Sequence, residues 1–386
     1  MKYEYKKKLT KIKRIMQNQG DLKYLKFNYK IDGPGLMLVI HESQELGASI
    51  LALHIAEELI RRGVKVYIVS RQFGVMNDKY NAVAPTQIAL TKISYKNICR
   101  KLFEKGFRRA LMITASTGDL VKITQTCGFK VISMIHELNQ VIKMLHLEDN
   151  VHEMIEYSDK IVFSTSIAKR QILDLCGIND SEKIVIKPQG IYFNKPSADI
   201  IKMQSEELIN RYPVLKDKKI IAGVGNTTER KGFDIFLQTA KLLPEYEFIW
   251  AGKKEKYFNE AIEKYGNPNN FVYLGMMNAE QLAGIYSVAD VYLMSSRYDT
   301  LPSTIFEALL FCIPVIGSKK SGGIVDVIND NNGFLTEDTD CIMFSEAIEH
   351  VLANDYKIQD MNNSFEQYVW YVLDLYEENI CERTKY

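Results

Sequence analysis

A chain of 386 residues is too long for one ordinary hydrophobic core, so its length predicts two domains. Hydrophobic residues at 46% and charged residues at 25% are typical of a folded protein, which excludes a disordered or collagen-like chain. The net charge of +1 gives the chain no overall field for a polyanion, so nucleic acid is not expected as its main partner.

The amino-terminal segment, residues 1–30, is rich in Lys and Arg and has only Glu4 and Asp21 as acids. Either a solvated helix or a surface that docks on an anionic membrane or a lipid-linked acceptor would explain this charge. The sequence contains neither an apolar run of about 20 residues nor an apolar signal-peptide segment. We therefore expect a cytoplasmic protein. The basic segment would allow it to make peripheral contact with the inner face of the membrane.

The first half of the chain alternates strands and helices. Leu36–Ile40 is a continuous aliphatic run, as in a strand buried on both faces, and Ala48–Arg62 has apolar residues at helical spacing before Gly63. A strand, a helix and a strand in this order predict parallel pairing. The other strands predicted in this half are Val64–Val69, Ala110–Thr114, Lys130–Ile135, Lys160–Ser164 and Ile184–Ile186.

A second series follows a polar link that contains a proline, Asn194–Ser197. The predicted strands here are Lys219–Val224, Glu247–Ala251, Val272–Leu274, Val291–Met294 and Pro314–Ile316, and the predicted helices are Phe233–Leu243, Glu280–Ser287 and Ser303–Phe311. The pattern predicts an α/β protein with two Rossmann-like, doubly wound domains that face a central cleft. We predict domains at residues 1–195 and 196–364. The aromatic helix of residues 365–386 is either an ordinary amphipathic terminal helix or one that crosses back to the first domain.

Two loops that follow predicted strands carry candidate ligand-binding residues, because ligands of open parallel sheets bind beyond the carboxyl ends of the strands. In residues 225–232, glycines permit close approach of an anion, and Arg230 and Lys231 suit phosphate oxygens, although a solvated basic pair has the same pattern. In residues 295–309, Pro302 and Ser303 suit the start of a helix, whose first amide groups attract an anion.

Two acids accompany the second loop. Glu307 lies about one turn inside an otherwise apolar helix, so its carboxylate needs a partner, either an ion pair within the protein or the hydroxyls of a sugar. Asp299 precedes Glu307 by eight positions and lies in the loop before the helix. The two acids can therefore address one ligand from different sides.

From Lys219 to about Leu352 the chain resembles the donor-binding half of glycosyltransferase family 4, the retaining group 1 glycosyltransferases of the GT-B fold. The matching residues follow the family's order and spacing: Lys231-Gly232, Gly252, Leu274-Gly275, Ala289-Asp290-Val291, Asp299, Glu307-Ala308, Pro314-Val315 and Gly322-Gly323. The first half is similar more loosely. Gly47, in Glu45-Leu46-Gly47-Ala48, resembles the family's glycine loop, and His136, in His136-Glu137, resembles its histidine at the sugar; by chemistry alone His136 is equally a structural histidine.

The chain departs from the family's pattern at three positions. Asn226 follows Gly225 where the family usually has an arginine, which leaves open whether Arg230 replaces that arginine. Asp299 stands where glutamate is commoner, so the reach of the first acid is shorter. Gly47 is a single glycine where two are frequent.

The resemblance implies transfer of a hexose from a nucleotide diphosphate sugar, with UDP-sugar favoured, to a glycan or lipid-linked acceptor in the synthesis of surface polysaccharide or glycoconjugate. It assigns the diphosphate to Lys231, Arg230 and the helix-start amides of Ser303 and Thr304, the ribose to Glu307, the sugar to Asp299 and His136, and the glycine loop at the donor phosphate to Gly47. The resemblance also implies that the anomeric configuration is retained. Because no side chain is a convincing covalent nucleophile, we expect front-face attack in which the donor phosphate helps to deprotonate the acceptor.

No metal and no cofactor is expected. The six histidines have no HExxH spacing, the six cysteines form no CxxC pair, and no DxD motif follows a predicted strand convincingly. The competing interpretations are another GT-B enzyme, such as a nucleotide-sugar 2-epimerase or a phosphorylase, and a non-catalytic subunit that binds sugar nucleotides. A dehydrogenase is disfavoured, since Gly223-Val224-Gly225 lacks the third glycine and the later acid of a dinucleotide site.

Overall fold

The computed structural model describes residues 23–26, 33–45, 47–354, 356, 358 and 364–377. Most of the basic segment (1–22 and 27–30), Leu46 of the predicted glycine loop and residues 378–386 of the terminal segment lie outside the described residues. The chain divides into two compact units. The first contains the residues up to Phe163, Gln171–Lys187 and the residues from Val369 onward, and the second contains Ser164–Arg170 and Pro188–Tyr368.

The first unit is built on a parallel sheet. Its strands are Gly35–Ile40 (β1), Lys65–Ser70 (β2), Thr86–Ile88 (β3), Phe107–Ile113 (β4), Lys130–Ile135 (β5), Lys160–Phe163 (β6) and Ile184–Ile186 (β7). They pair in parallel in the order β3-β2-β1-β4-β5-β6-β7. The helices between them are Gly47–Arg61 (α1), Met76–Val83 (α2), Lys92–Glu104 (α3), Val121–Thr126 (α4), Asn139–Leu145 (α5), Glu148–Tyr157 (α6) and Ser166–Cys176 (α7).

The second unit repeats this architecture. Its strands are Ile220–Val224 (β8), Glu247–Ala251 (β9), Phe271–Gly275 (β10), Val291–Leu293 (β11), Val315–Ser318 (β12) and Gly333–Thr336 (β13). They pair in parallel in the order β10-β9-β8-β11-β12-β13. The helices are Ala198–Arg211 (α8), Phe233–Leu242 (α9), Tyr257–Tyr265 (α10), Ala279–Val288 (α11), Ser303–Leu310 (α12), Cys341–Leu352 (α13) and Phe365–Asp374 (α14), the last divided between the two units.

The strand sequences are apolar without a break because both faces of each sheet are covered. In β9, Phe248 and Trp250 pack with Phe236 of α9 on one face, while Ile249 packs on the other face with Ile285 of α11. This alternation follows from the two-residue period of a strand. The predicted pair of parallel, doubly wound α/β sheets is confirmed.

Most of the predicted strands and helices appear with their ends moved by one to three residues. Among the predicted strands the largest difference is at β4, which begins at Phe107 rather than Ala110, because the charged residues Arg108 and Arg109 interrupt the apolar pattern at its start. The predicted terminal helix of residues 365–386 ends at Asp374, and residues 375–377 form a turn. Two strands, β3 and β13, were not predicted from the sequence. Both are short outer strands of their sheets, and their sequences lack the aliphatic run that marks a central strand.

The terminal helix α14 and the turn after it contact the first unit from Val369 onward. The Tyr376 hydroxyl donates a hydrogen bond of 2.7 Å to the Ala110 carbonyl oxygen of β4. The Arg62 guanidinium lies over the Trp370 ring, 4.0 Å from its centroid. These contacts fix the end of the described chain on the β4 side of the first sheet.

Gly252, which follows β9, allows the candidate loop after β8 to lie close to the main chain at the end of β9. A Cβ at Gly252 would lie 2.0 Å from the Gly225 carbonyl oxygen, whereas a Cβ at Gly275 meets nothing within 4 Å; both residues have positive φ, +144° and +80°. Both alanine substitutions incur a backbone cost of about 1–2 kcal/mol, and only Gly252→Ala adds a clash with main chain. We expect Gly252→Ala to lower the free energy of unfolding by about 2 kcal/mol more than Gly275→Ala, as measured by urea denaturation. Equal losses would contradict the close approach.

Candidate functional site

The strand order of the second sheet defines where a ligand should bind. β8 and β11 are neighbours, and the chain runs outward in opposite directions from them, through β9 and β10 on one side and β12 and β13 on the other. Crevices at such a reversal, beyond the carboxyl ends of the strands, are the usual ligand sites of open α/β sheets. The loops after β8 and β11 carry the predicted residues Arg230, Lys231 and Asp299.

The loop after β8 is held in place by main-chain and side-chain hydrogen bonds. The Trp250 indole nitrogen donates to the Gly225 carbonyl oxygen at 2.7 Å, and the Ser295 hydroxyl donates to the Lys231 carbonyl oxygen at 3.1 Å. Gly232, at φ +66°, precedes α9 directly, and a Cβ there would lie 1.9 Å from the Ser295 carbonyl oxygen. Only glycine permits this approach of the two loops.

An ion pair that was not predicted from the sequence joins the loop after β11 to the first turn of α9, next to the loop after β8. The Arg297 guanidinium donates two hydrogen bonds to the carboxylate of Asp234, at 2.8 and 2.7 Å, and Asp234 is 1% exposed. The Arg297 main-chain N–H also donates to the Arg230 carbonyl oxygen at 2.8 Å. A bidentate pair of this kind fixes geometry as well as supplying energy, so it positions the backbone that carries Arg230 and Lys231.

Asp299 lies where the two predicted cations meet. Its Oδ2 accepts a hydrogen bond of 2.7 Å from Lys231 Nζ and one of 2.8 Å from the Arg230 guanidinium. The side chains of Asp299 and Lys231 are 13% and 16% exposed, so this charge cluster is largely withdrawn from solvent, while Arg230 is 43% exposed. Burial alone would raise the pKa of the Asp299 carboxyl, but the charges of Lys231 and Arg230 outweigh burial and hold the pKa below its ordinary value.

Glu307 lies inside α12, one turn from its first residue, and accepts a hydrogen bond from another side chain of this unit. The Tyr286 hydroxyl donates a hydrogen bond of 2.8 Å to Glu307 Oε2. Burial raises the pKa of the Glu307 carboxyl, while hydrogen bonds from Tyr286 and Ser303 and the charge of Lys231 oppose burial. Lys231 thus acts on both acids, which means that Arg230, Lys231, Asp299 and Glu307 form one charged cluster in the second unit.

The amino-terminal end of α12 completes the cluster. Pro302 precedes the helix and gives no side-chain cap, so the first amide groups are not satisfied by a capping side chain. Ser303 and Thr304 begin the helix, and the buried Tyr292 hydroxyl donates to the Thr304 hydroxyl at 2.6 Å. Tyr286 and Tyr292 were not predicted, because a tyrosine on a buried helix or strand has no signal in the sequence other than its apolar neighbours.

The remaining predicted residues, Gly47 and His136, belong to the first unit. Gly47 is the first residue of α1 and a Cβ there would meet nothing within 4 Å. His136 follows β5; its Nε2 is buried and has no hydrogen-bond partner among the described residues, and burial lowers the pKa of His136 to about 4. The adjacent Glu137 carboxylate accepts the main-chain N–H groups of His136 and Ala115, each at 3.0 Å, and so fixes the loops after β5 and β4.

Two searches of the described residues gave negative results. No group of three or more His, Cys, Asp and Glu side chains in this part of the chain is arranged to hold a metal ion. No helix among the residues that the structure describes is long and apolar enough to span a bilayer.

The chain is similar to a known family model and to curated proteins. Residues 204–369 match the family model of the glycosyl transferases group 1. Alpha-galactosylglucosyldiacylglycerol synthase of Streptococcus pneumoniae is 26% identical over 145 residues, 35% of this chain and 37% of that protein. An uncharacterized glycosyltransferase of Haemophilus influenzae is 20% identical over 327 residues, 80% of this chain and 87% of that protein. The chain spans 37% to 57% of the length of the curated relatives from Streptococcus, Klebsiella and Methanocaldococcus.

Solved structures extend the likeness to both units. Anabaena HepE in complex with UDP superposes with a TM-score of 0.72 at 13% identity, covering 91% of this chain and all of that one. Sucrose-phosphate synthase from Thermosynechococcus elongatus also gives a TM-score of 0.72, at 17% identity, covering 91% of this chain and all of that one. At such identities the likeness concerns the fold, and the predicted GT-B fold is confirmed.

The burial of His136 makes stability depend on pH in a defined direction. The pKa of His136, about 4, lies below the ordinary 6.5, so the folded chain favours the neutral imidazole. The contribution of this neutral side chain to the free energy of unfolding is therefore complete above pH 6.5 and is lost as the pH falls towards 4. Between pH 7 and pH 5 this loss is about 2 kcal/mol. We expect His136→Asn to remove this part of the pH dependence in urea unfolding, and His152→Asn, at an exposed position, to leave it unchanged. The same decline in His136→Asn as in the native chain would refute the assignment.

Proposed function

We infer that this protein is a glycosyltransferase that moves a hexose from a nucleotide diphosphate sugar, UDP-sugar by preference, to a hydroxyl of a glycan or lipid-linked acceptor. The observation that carries the proposal is the cluster of two cations and two carboxylates at the reversal of strand order in the second sheet. The family match covers these residues, and the structural likeness to a UDP-bound protein supports a nucleotide ligand.

The donor's diphosphate has its best partners in Lys231, Arg230 and the first amides of α12 at Ser303 and Thr304. These groups neutralise negative charge that grows on the leaving diphosphate as the glycosidic bond breaks, which is the term that most often dominates such catalysis. Lys231 is the stronger of the two cations, because it is mostly buried and a charge acts more strongly where water is excluded. In this proposal Lys231 and Arg230 neutralise the charge of the diphosphate, as a bound metal ion does in some other enzymes, and no cofactor is needed.

The two carboxylates have different tasks. Glu307 accepts hydrogen bonds from Tyr286 and Ser303, and its carboxylate has further lone pairs that can accept the ribose hydroxyls. Asp299 takes the sugar hydroxyls, and the resemblance assigns His136 to the sugar and Gly47 to the donor phosphate. His136 is neutral at physiological pH because burial lowers its pKa, so it acts as a hydrogen-bonding group rather than a cation.

Retention follows from attack on the face that the diphosphate leaves. The acceptor oxygen forms the new bond to the anomeric carbon, the bond from that carbon to the phosphate oxygen breaks, and the acceptor proton passes to a phosphate oxygen of the departing diphosphate. No side chain of the protein needs to form a covalent bond with the sugar. The α-anomer of an α-linked donor is therefore preserved.

A lipid-linked acceptor is supported by two observations. Relatives include the Streptococcus pneumoniae synthase and an enzyme named processive diacylglycerol alpha-glucosyltransferase from Acholeplasma laidlawii, 29% identical over 105 residues. Residues 1–30 supply a basic segment suited to the anionic inner face of a membrane. Synthesis of a surface polysaccharide or glycoconjugate is the process that fits both.

The cation at Lys231 is the first residue to test. Lys231→Met should reduce kcat for sugar transfer, or for slow hydrolysis of the donor, by about 10²–10³ because one charge that stabilises the leaving diphosphate is lost. Lys219→Met is the control, since Lys219 pairs with Asp290 just before the amino end of β8, away from the cluster. Activity is measured by release of nucleoside diphosphate from a panel of UDP-, GDP- and dTDP-sugars, after a thermal-shift screen of the same panel for binding.

The products separate the proposal from its rivals. NMR of the transferred sugar should show the donor's anomeric configuration, and inversion would contradict the front-face mechanism. An epimerase would convert its substrate without any acceptor. A non-catalytic subunit would bind a donor sugar without releasing the nucleoside diphosphate from it, even in the native chain.

Membrane contact is tested by charge rather than by deletion, because Tyr24 within the basic segment is buried and donates a hydrogen bond to Asp78. Replacing Lys6, Lys7, Lys8 and Lys11 by Gln should weaken co-sedimentation with phosphatidylserine vesicles at low salt by at least about tenfold. The control replaces four exposed lysines elsewhere, Lys202, Lys254, Lys256 and Lys264. Equal sedimentation of the two variants would remove the basic segment from the proposal.

A further inference from the structure

The site cluster contains an ion pair that the proposed reaction does not use. The groups assigned to the donor's diphosphate hold an anion of the protein itself, the Asp299 carboxylate, with Lys231 Nζ and the Arg230 guanidinium both on its Oδ2. A carboxylate and a phosphate present similar oxygens to the same donors. A diphosphate that binds these cations therefore competes with Asp299 for their charge and for the donors that face it.

Building on the proposed function, we propose that Asp299 is an internal substitute for the donor's diphosphate, and that the arriving diphosphate displaces this carboxylate and frees it for the sugar hydroxyls. Asp299 compensates the mostly buried charge of Lys231, which would be costly to keep unpaired. A bound diphosphate would take over that compensation. The exchange links the presence of a diphosphate to the availability of the sugar-binding acid.

The surrounding main chain limits what has to move. The Asp299 N–H donates to the Ser321 carbonyl oxygen at 2.6 Å, and the Gly323 N–H donates to the Asp299 carbonyl oxygen at 3.3 Å. A Cβ at Gly323 would lie 1.9 Å from the Thr300 carbonyl oxygen, so the next loop is packed against this one. Because the backbone is fixed on both sides of the residue, exchange of partners occurs by rotation of the short Asp299 side chain rather than by movement of the loop.

Replacing Asp299 with an uncharged residue should have opposite effects on the binding of a diphosphate and on the turnover of sugar transfer. Removing the Asp299 charge releases the cations, so a diphosphate no longer has to displace a bound anion and binds more tightly. The same substitution removes the acid that holds the sugar, so turnover falls. A residue that merely supported the fold would not raise affinity for an anion.

The test is isothermal titration of the full chain with inorganic pyrophosphate, which has neither ribose nor sugar. Asp299→Asn should bind pyrophosphate at least about tenfold more tightly than the native chain, since an anion competing for the same donors is gone. Glu307→Gln has the same change in net charge and measures the gain from reduced charge repulsion alone, because Glu307 lies in the field of Lys231 but is bonded to Tyr286. Its gain in affinity should be smaller than that of Asp299→Asn. Asp290→Asn, which removes an acid away from the cluster, is the inert control and should change affinity by less than about threefold.

Three results would overturn the inference: unchanged affinity in Asp299→Asn, weaker affinity in Asp299→Asn, or an equal gain in Glu307→Gln, which would indicate simple charge repulsion. Asp299→Ser is the second variant, with the same expected gain, if Asp299→Asn does not fold. A parallel titration with UDP separates this inference from the proposed function. Should the native chain bind no nucleoside diphosphate, the proposed function fails; if it binds UDP and Asp299→Asn binds pyrophosphate no more tightly, only the displacement is wrong.

Discussion

The site depends on the convergence of Lys231 and Arg230 on one point at the carboxyl ends of β8 and β11. Two positive charges that are brought together and partly withdrawn from water need an anion, and this requirement organises the surroundings. It explains why Asp299 is held between them, and why the loops that carry them are fixed by the Arg297–Asp234 pair and by glycines at close approaches. The protein itself therefore holds the charged groups of the cluster in position.

Parallel sheets covered on both faces explain how the fold supports this site. Aliphatic strands such as β8 and β11 pack between helices, which leaves only the loops beyond their ends free to carry polar residues. The loops after β8 and β11 approach each other closely where the order of strands reverses, which is the usual place for a ligand site in an open α/β sheet. Arg230, Lys231, Asp299 and Glu307 lie on these two loops and on α12, so the charged cluster occupies a small part of the chain.

Much of the fold could be predicted because long buried strands and amphipathic helices leave periodic patterns. The strands Lys130–Ile135, Ile184–Ile186 and Glu247–Ala251 have the predicted ends, since charged or polar residues border each apolar run. The outer strands β3 and β13 could not be predicted, because three or four residues at a sheet edge are stabilised by pairing rather than by their own sequence.

The candidate site could be predicted only where residue type and spacing carried information. Arg230, Lys231, Asp299 and Glu307 were found from the sequence, and the structure brings these four together. Their partners were not found: Tyr286 reaches Glu307 from α11, and Arg297 reaches Asp234 across more than sixty positions of sequence. Contacts of this kind depend on tertiary packing, which one sequence does not encode in any local pattern. The roles of Gly47 and His136 remain predictions.

Binding of a diphosphate by charges of the protein can be observed in a crystal structure of the chain soaked with UDP in the presence of EDTA. We expect phosphate oxygens within hydrogen-bonding distance of Lys231 Nζ, ribose hydroxyls in contact with the Glu307 carboxylate, and Asp299 displaced from Lys231. A nucleotide bound away from β8 and β11, or a site that fills only when a divalent metal is restored, would contradict this expectation.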